Sequence, residues 1–239
     1  MPLASRVYGE KKLKSSPYQY TVEDDIKLLH LLGARQNTET VQQAIERLKL
    51  IVNGLIQNDS MPLAEKQNII EYIGKKFPQI LLHAAFLLRT NHRNISKNYL
   101  ELFLVNDDIC SEDKCFAWEL MASIYHEEGD GTKYIHAKTQ FSKSCSNLHD
   151  ISTSANDINR YITENRDIID TLDKKRILSS LAEYMEQFTS SWSADDYSRI
   201  AWLYMNSGNL PKAVFVAQKG LESDPDNAHC RKIIARQEN

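Results

Sequence analysis

The stretch from Asp195 to Pro225 constrains the fold of this chain most strongly, because it has the pattern of two helices joined by a short turn. Residues of one helical face recur at i, i+3, i+4 and i+7 in its first half: Tyr197, Ile200, Ala201 and Tyr204. Ser193 and Asp196 have the spacing of a capping box at the start of this helix. Gly208 permits a turn at no steric cost. The small residues Ala213, Ala217 and Gly220 in the second half let two backbones approach closely, so the stretch predicts an antiparallel helical hairpin.

The same stretch resembles a tetratricopeptide repeat (TPR), a helix–turn–helix unit of about 34 residues. The aromatic, apolar, small, glycine and proline positions of that repeat are held here by Tyr197, Ile200, Ala201, Tyr204, Gly208, Ala213, Ala217, Gly220 and Pro225. Three positions depart from the repeat: Tyr197 replaces a Trp, Ala217 an aromatic residue and Gly220 an Ala. The alternative is an ordinary helical hairpin that meets the pattern by chance.

A second copy of the first-helix pattern lies upstream, with the same offsets: Trp118, Met121, Ala122, Tyr125 and Gly129. Its second helix matches only if Gly131, Thr132 and Lys133 are an insertion in the turn, which brings Tyr134, Ala137 and Phe141 into register. Without the insertion, Tyr134 occupies an alanine position. Tyr125 and Tyr204 are too far apart for adjacent repeats, so we expect one divergent helix pair between them, supplied by residues 155–190.

The rest of the chain also predicts helices. Only 8 glycines and 6 prolines interrupt 239 residues, which favours long helices over a turn-rich β fold. The clearest amphipathic pattern runs from Thr38 to Gln57, and the segment after Pro78 is apolar on nearly all sides. We therefore predict an all-α fold of about twelve helices. The resemblance to TPR proteins, which covers roughly residues 112–237, implies a right-handed α-solenoid of antiparallel helix pairs.

Three segments are predicted. Residues 1–20 are polar and basic, and are interpreted as a solvated tail or linker; the alternative is a basic arm that contacts an acidic partner or nucleic acid. Residues 21–108 contain N-terminal helical pairs, beginning with a capping box at Thr21 and Asp24. Residues 109–239 contain the TPR-like repeats and a short polar C-terminal capping helix.

Composition narrows the class of protein. The formal net charge of −3 gives no overall case for nucleic-acid binding. No apolar run is long enough to span a bilayer, and the N-terminus lacks the apolar core of a signal peptide. The cysteines, Cys110, Cys115, Cys145 and Cys230, are scattered without the spacing of a disulfide framework, which predicts a reducing, cytoplasmic setting.

No catalytic or cofactor motif is found: the sequence has no phosphate loop, no dinucleotide-binding glycine pattern, no nucleophile turn and no His-Glu-x-x-His. A zinc site could be imagined from Cys110, Cys115, His126, His136, Cys145 and His149, but the spacing is poor and ordinary thiols and surface imidazoles are the preferred interpretation. We therefore predict no enzyme activity, no cofactor and no metal.

The candidate binding residues lie on the first helix of each repeat. Arg199, Trp202 and Asn206 share a face at i, i+3 and i+7, on the side that lines the concave surface of TPR arrays. The matching face upstream carries Ser123 and Glu127. The alternative is that these side chains contact a neighbouring helix.

The leading functional hypothesis is a non-enzymatic protein–protein interaction scaffold, which binds a protein or peptide in its concave groove. One alternative is a ligand-sensing or regulatory helical-repeat module of a larger multidomain signalling NTPase. A third class is a helical enzyme with an active site that the sequence does not reveal. Neither membrane association nor nucleic-acid binding is expected.

Overall fold

The structure is a computed structural model that describes residues 38–165, 171–188 and 192–236. Within these ranges it has eleven α-helices and no β-strand, which confirms the prediction of an all-α fold. The predicted tail at residues 1–20 and the capping box at Thr21 and Asp24 lie outside the described residues. The chain divides into two compact units, Met1–Asp108 and Ile109–Asn239.

The described part of the first unit has four helices: α1 (Thr38–Gln57), α2 (Leu63–Gly74), α3 (Gln79–Leu88) and α4 (Arg93–Leu104). The apolar helix α3 packs against α1, α2 and α4, so its all-round apolar surface is covered on several sides. Pro78 is the N-cap of α3, in agreement with the prediction that this helix follows the proline. On α1, Leu48 and Val52 are fully buried while Leu50 is exposed, which confirms the predicted amphipathic pattern.

The described part of the second unit has seven helices: α5 (Ser111–Glu128), α6 (Gly131–Ser144), α7 (Leu148–Glu164), α8 (Thr171–Glu186), α9 (Ala194–Asn206), α10 (Leu210–Ser223) and α11 (Ala228–Ile234). The closest pairs are the hairpins α5–α6 and α9–α10. Helices α7 and α8 each pack against α6 and α9, and so fill the space between the hairpins. They supply the helices expected between the two repeat-like stretches, although α7 begins at Leu148 rather than near Ala155.

The start of α9 has the predicted capping box. The Ser193 hydroxyl accepts a hydrogen bond from the Asp196 backbone N–H, and the Asp196 carboxylate accepts one from the Ser193 N–H. These two bonds satisfy backbone donors that the first turn of a helix leaves unpaired. Tyr204, on the predicted buried face, is only 1% exposed, whereas the equivalent Tyr125 of α5 is half-buried.

The α5–α6 turn lacks the insertion that a match of its second helix to the repeat requires. Gly129 and Gly208 both have left-handed backbone conformations, and in each hairpin the next residue, Asp130 or Asn209, is the N-cap of the following helix. Its side chain accepts a hydrogen bond from the backbone N–H three residues on. Because Asp130 caps α6 immediately after the turn, residues 131–133 form the first helical turn rather than a loop.

Without an insertion, Tyr134 takes the position that Ala213 has in the α9–α10 hairpin. The larger side chain is accommodated because it turns toward α7, where its ring centroid lies 4.5 Å from that of Tyr161. The His126 ring is 5.2 Å from Tyr134. Burial raises the pKa of Tyr134 to about 12.

The cysteines were expected to show no disulfide pattern, but two of them are bonded to each other. Cys115, near the start of α5, and Cys145, the C-cap of α6, form a disulfide with 5.7 Å between their Cα atoms. The antiparallel hairpin brings these two ends together, which linear spacing in the sequence did not indicate. Cys110 is an exposed free thiol and Cys230 a buried one.

The helices of the described ranges include none that combines the length and apolar character required to cross a membrane.

Candidate functional site

A groove in the second unit runs along α7, α9 and α11. It consists of two pockets, of about 380 and 460 Å³, that share the lining residues Thr163, Trp202 and Lys232. We call the smaller one the basic pocket; beyond the shared residues it is lined by Ile162, Lys174, Met205, Asn206 and Arg236. The larger one, the mixed pocket, has further lining residues of both charges: Asn156, Asn159, Arg160, Glu164, Asp195, Ser198, Arg199 and His229.

Trp202 is the central side chain of the groove, since it lines both pockets. It is half-buried on α9, one residue after the fully buried Ala201 that faces the core. The Arg236 guanidinium lies 4.9 Å from the indole centroid, and its Nη1 is 3.3 Å from the Met205 sulfur. Arg236 therefore covers part of the indole from the end of α11 by a cation–π contact.

Arg199 links α9 to α7. Its Nη1 donates hydrogen bonds to the Ser152 hydroxyl, at 2.7 Å, and to the Asp196 carboxylate, at 2.8 Å. The Ser152 hydroxyl also donates to Asp196. These contacts position Arg199 at the wall of the mixed pocket, so it both holds the helices together and faces the groove.

The carboxylate of Asp196 is stabilised by this arrangement. Burial by itself would raise its pKa, but the hydrogen bonds from Ser152 and Ser193 and the positive charge of Arg199 outweigh burial and lower the pKa below its ordinary value. Asp196 is therefore ionised at neutral pH and is part of the framework beneath the groove.

Asn206 is also joined to α7. Its Nδ2 donates to Oδ1 of Asn159 at 3.2 Å, and Nδ2 of Asn159 donates to the Arg199 carbonyl oxygen at 3.0 Å. The amides fix the spacing of α7 and α9 along the wall of the groove. For Arg199 and Asn206, the structure thus combines the two interpretations left open by the sequence: contact with a neighbouring helix and a position at the groove.

The other two predicted binding residues lie elsewhere. Ser123 and Glu127 are exposed on α5, and neither lines the basic or the mixed pocket. The structure therefore brings together Arg199, Trp202 and Asn206, while a binding role for Ser123 and Glu127 stays a prediction.

Sequence reasoning missed the cations of the basic pocket, Lys174, Lys232 and Arg236. Lys232 and Arg236 carried a usable signal, because they are four residues apart in the sequence, a spacing that places two side chains on the same face of a helix. Lys174 carried none, since its helix α8 reaches the pocket only through the packing of the second unit.

In the part of the chain that the structure describes, no group of three or more His, Cys, Asp or Glu side chains is placed to hold a metal ion. Four of the six residues considered for zinc have other contacts: Cys115 is bonded to Cys145, the His136 ring packs against Trp118, and the His126 ring packs against Tyr134 and Tyr161.

Comparison with known proteins leaves the fold and the groove as the basis for assigning a function: no family model, no curated protein and no solved structure matches this chain.

Proposed function

We propose that this protein is a non-enzymatic binding scaffold that holds a peptide or protein segment in the groove along α7, α9 and α11. In this proposal the helix pairs of the second unit stack as a right-handed, TPR-like α-solenoid, and the groove belongs to its concave side. The observation that carries the proposal is the position of Trp202, a half-buried indole shared by two adjoining pockets.

A tryptophan in this position suits binding because its large, rigid ring provides contact area at a small cost in conformational entropy. Tryptophan is enriched among the residues that dominate the free energy of protein–protein binding. The two pocket volumes, about 380 and 460 Å³, fall within the range of about 300–1,000 Å³ in which small ligands bind. Each pocket therefore has room for one or two side chains of a bound segment.

The framework around Trp202 also favours binding, since it fixes the groove before a ligand arrives. The capping box fixes the start of α9, and the contacts of Arg199, Asn159 and Asn206 join α9 to α7. A groove that is already ordered loses little further freedom on binding, so more of the contact free energy appears as affinity.

The proposal is tested by panning a random peptide library against the full chain and measuring the selected peptides by fluorescence anisotropy. We expect Trp202→Ala to weaken binding about thirtyfold, the equivalent of about 2 kcal/mol, because it truncates the central contact. Phe215→Ala is the matched control: this aromatic side chain is 53% exposed on α10 and lines neither pocket of the groove.

Far-UV circular dichroism and the thermal midpoint verify that each variant is folded. If no peptide is selected, or if the selected peptides bind the wild-type chain and Trp202→Ala equally well, the groove is not the binding site and the proposal is wrong.

A further inference from the structure

We propose that the basic pocket takes an acidic peptide segment, in which an Asp or Glu side chain lies next to an aromatic or aliphatic one. This inference rests on the proposed function and names the chemistry of its ligand.

The charged side chains that line the basic pocket are all positive among the described residues. Lys174, Lys232 and Arg236 line it, and none of its described lining residues is acidic. Neither Lys174 nor Lys232 has an ion pair within the described ranges, and Arg236 contacts the Trp202 ring and the Met205 sulfur. Among the described residues, no acidic side chain therefore competes with an anionic ligand for Lys174 or Lys232.

The neighbouring mixed pocket, unlike the basic pocket, is lined by residues of both charges. There Arg160 pairs with Asp157 at 3.2 Å and Arg199 with Asp196 at 2.8 Å, while Glu164 and Asp195 add negative charge at the wall. Arg160 and Arg199 are thus balanced by acids of the same chain, and of the three cations of the basic pocket only Lys232 also lines the mixed one. A ligand carboxylate is therefore attracted to the basic pocket rather than along the whole groove.

The overall composition does not account for this concentration of positive charge, since the chain has a formal net charge of −3. Three cations from the separate helices α8 and α11 and the segment after α11 converge on a volume of about 380 Å³. A concave wall of one charge sign focuses the field and raises the local concentration of oppositely charged groups.

The pocket also has apolar side chains, so its ligand needs an apolar group as well as a negative charge. Ile162, Trp202 and Met205 line the same pocket as the cations, so a ligand that carries only charge would leave this apolar surface uncovered. A carboxylate side chain beside an aromatic or aliphatic one satisfies both parts of the pocket. The flexible Met205 thioether adapts to apolar side chains of varied shape, and the Trp202 indole offers a large apolar face.

A peptide fits better than a nucleic acid. Binding along a phosphate backbone requires a row of cations that follows successive phosphates, and its affinity comes mainly from those contacts. Here the described cations of the groove without an ion pair, Lys174, Lys232 and Arg236, cluster at the basic pocket, and only Lys232 also lines the mixed pocket, where Glu164 and Asp195 lie. A polyanion that extends along the groove would meet these carboxylates.

The composition of the peptides selected in the library experiment is the first test, and we expect Asp or Glu next to Phe, Trp, Leu or Met. The second test is the affinity of a selected peptide for charge-reversed variants of the full chain. We expect Lys174→Glu and Lys232→Glu each to weaken binding about tenfold or more, and binding to weaken further as salt is added.

Lys175→Glu is the matched control, because it makes the same charge change at the adjacent position of α8, and Lys175 lines neither pocket. We expect it to leave the affinity within about twofold of wild type, since adjacent helical positions point in different directions. The two test positions lie on different helices, so misfolding of one variant leaves the other informative.

The failure of this inference is distinguishable from the failure of the proposed function. Peptides that require Trp202 but are basic or uncharged would overturn the inference alone, as would equal losses for Lys174→Glu and Lys175→Glu. A uridine oligonucleotide that binds more tightly than the peptides, with the same sensitivity to Lys174→Glu and Lys232→Glu, would assign the pocket to nucleic acid instead.

Discussion

At the residue scale, the two hairpin turns depend on glycine for a backbone reason rather than for space. Gly129 has φ 73° and Gly208 has φ 87°, in the left-handed region where an L side chain is strained. A Cβ at Gly129 would have no atom within 4 Å, and one at Gly208 would only touch the flexible Lys175 side chain at 3.6 Å. The cost of a substitution at either position is therefore mainly conformational.

We expect Gly208→Ala to lower the free energy of unfolding by about 1 kcal/mol, measured by urea denaturation. Gly54→Ala is the control, since Gly54 is helical in α1 and a Cβ added there would meet no atom of a neighbouring element within 4 Å, so alanine should stabilise the protein by about 0.5–1 kcal/mol. A Gly208→Ala variant as stable as wild type would show that the turn is not restricted to the left-handed conformation.

Asp196 links the start of α9 to α7, and its contribution depends on ionisation. Because hydrogen bonds and Arg199 lower its pKa in the folded protein, the folded state favours the carboxylate more than the unfolded state does. The stabilisation is therefore present above the unfolded pKa of about 3.9 and is lost as the pH falls through the lower folded pKa.

We expect Asp196→Asn to destabilise the protein by about 1–2 kcal/mol at pH 7, because it removes charge-assisted hydrogen bonds. The difference from wild type should shrink on acidification below about pH 4. Urea denaturation of both proteins across this pH range measures it. A difference that stays constant down to the folded pKa would mean that the charge of Asp196 does not contribute.

At the scale of elements, the α5–α6 hairpin differs from α9–α10 in how it is held together. The α9–α10 hairpin contains Ala213, Ala217 and Gly220, and a Cβ added at Gly220 would lie 2.7 Å from the Cys230 sulfur of α11. The α5–α6 hairpin has the larger Tyr134 at the position of Ala213, and its open end is closed by the Cys115–Cys145 disulfide. The covalent link ties α5 to α6 over a separation of 30 residues.

We expect Cys145→Ser to lower the free energy of unfolding by about 3–4 kcal/mol relative to the oxidised protein, because the link restricts the unfolded chain. The same loss should follow reduction of the wild type, and reduction should leave the variant unchanged. Thiol titration of the wild-type protein, denatured without reduction, should find two free thiols, Cys110 and Cys230. Four titratable thiols in that sample would contradict the pairing.

At the scale of the whole molecule, each unit has buried apolar residues of its own. Leu48, Ile80 and Phe103 are among those of the first unit, and Met121, Ile158 and Leu203 among those of the second. The disulfide and the groove both belong to the second unit. Since local opening follows cooperative units of structure, a loss of the disulfide should act mainly on the second unit.

We expect reduction to increase amide hydrogen exchange in α5 and α6, with protection in α1–α4 unchanged. Hydrogen–deuterium exchange with mass spectrometry of the full chain, with and without dithiothreitol, measures both regions in one sample. An equal increase in α1–α4 would show that the two units unfold as one.

Local features of the chain were predictable because their causes are local. The helices α1 and α9 follow from apolar periodicity, and the capping box of Ser193 and Asp196 follows from side chains three residues apart. The α5–α6 turn was misjudged although its signal was local too: Asp130 directly after Gly129 has the same capping role as Asn209 after Gly208.

For the groove, the sequence by itself determined that Arg199, Trp202 and Asn206 share a face of α9, because helical periodicity relates residues three and four apart. Only the tertiary structure decided which side chains meet that face. Ser152 and Asn159 of α7, Lys174 of α8 and Lys232 of α11 reach it through packing between helices distant in sequence. The same holds for Cys115 and Cys145, whose pairing depends on the fold of a hairpin rather than on their spacing.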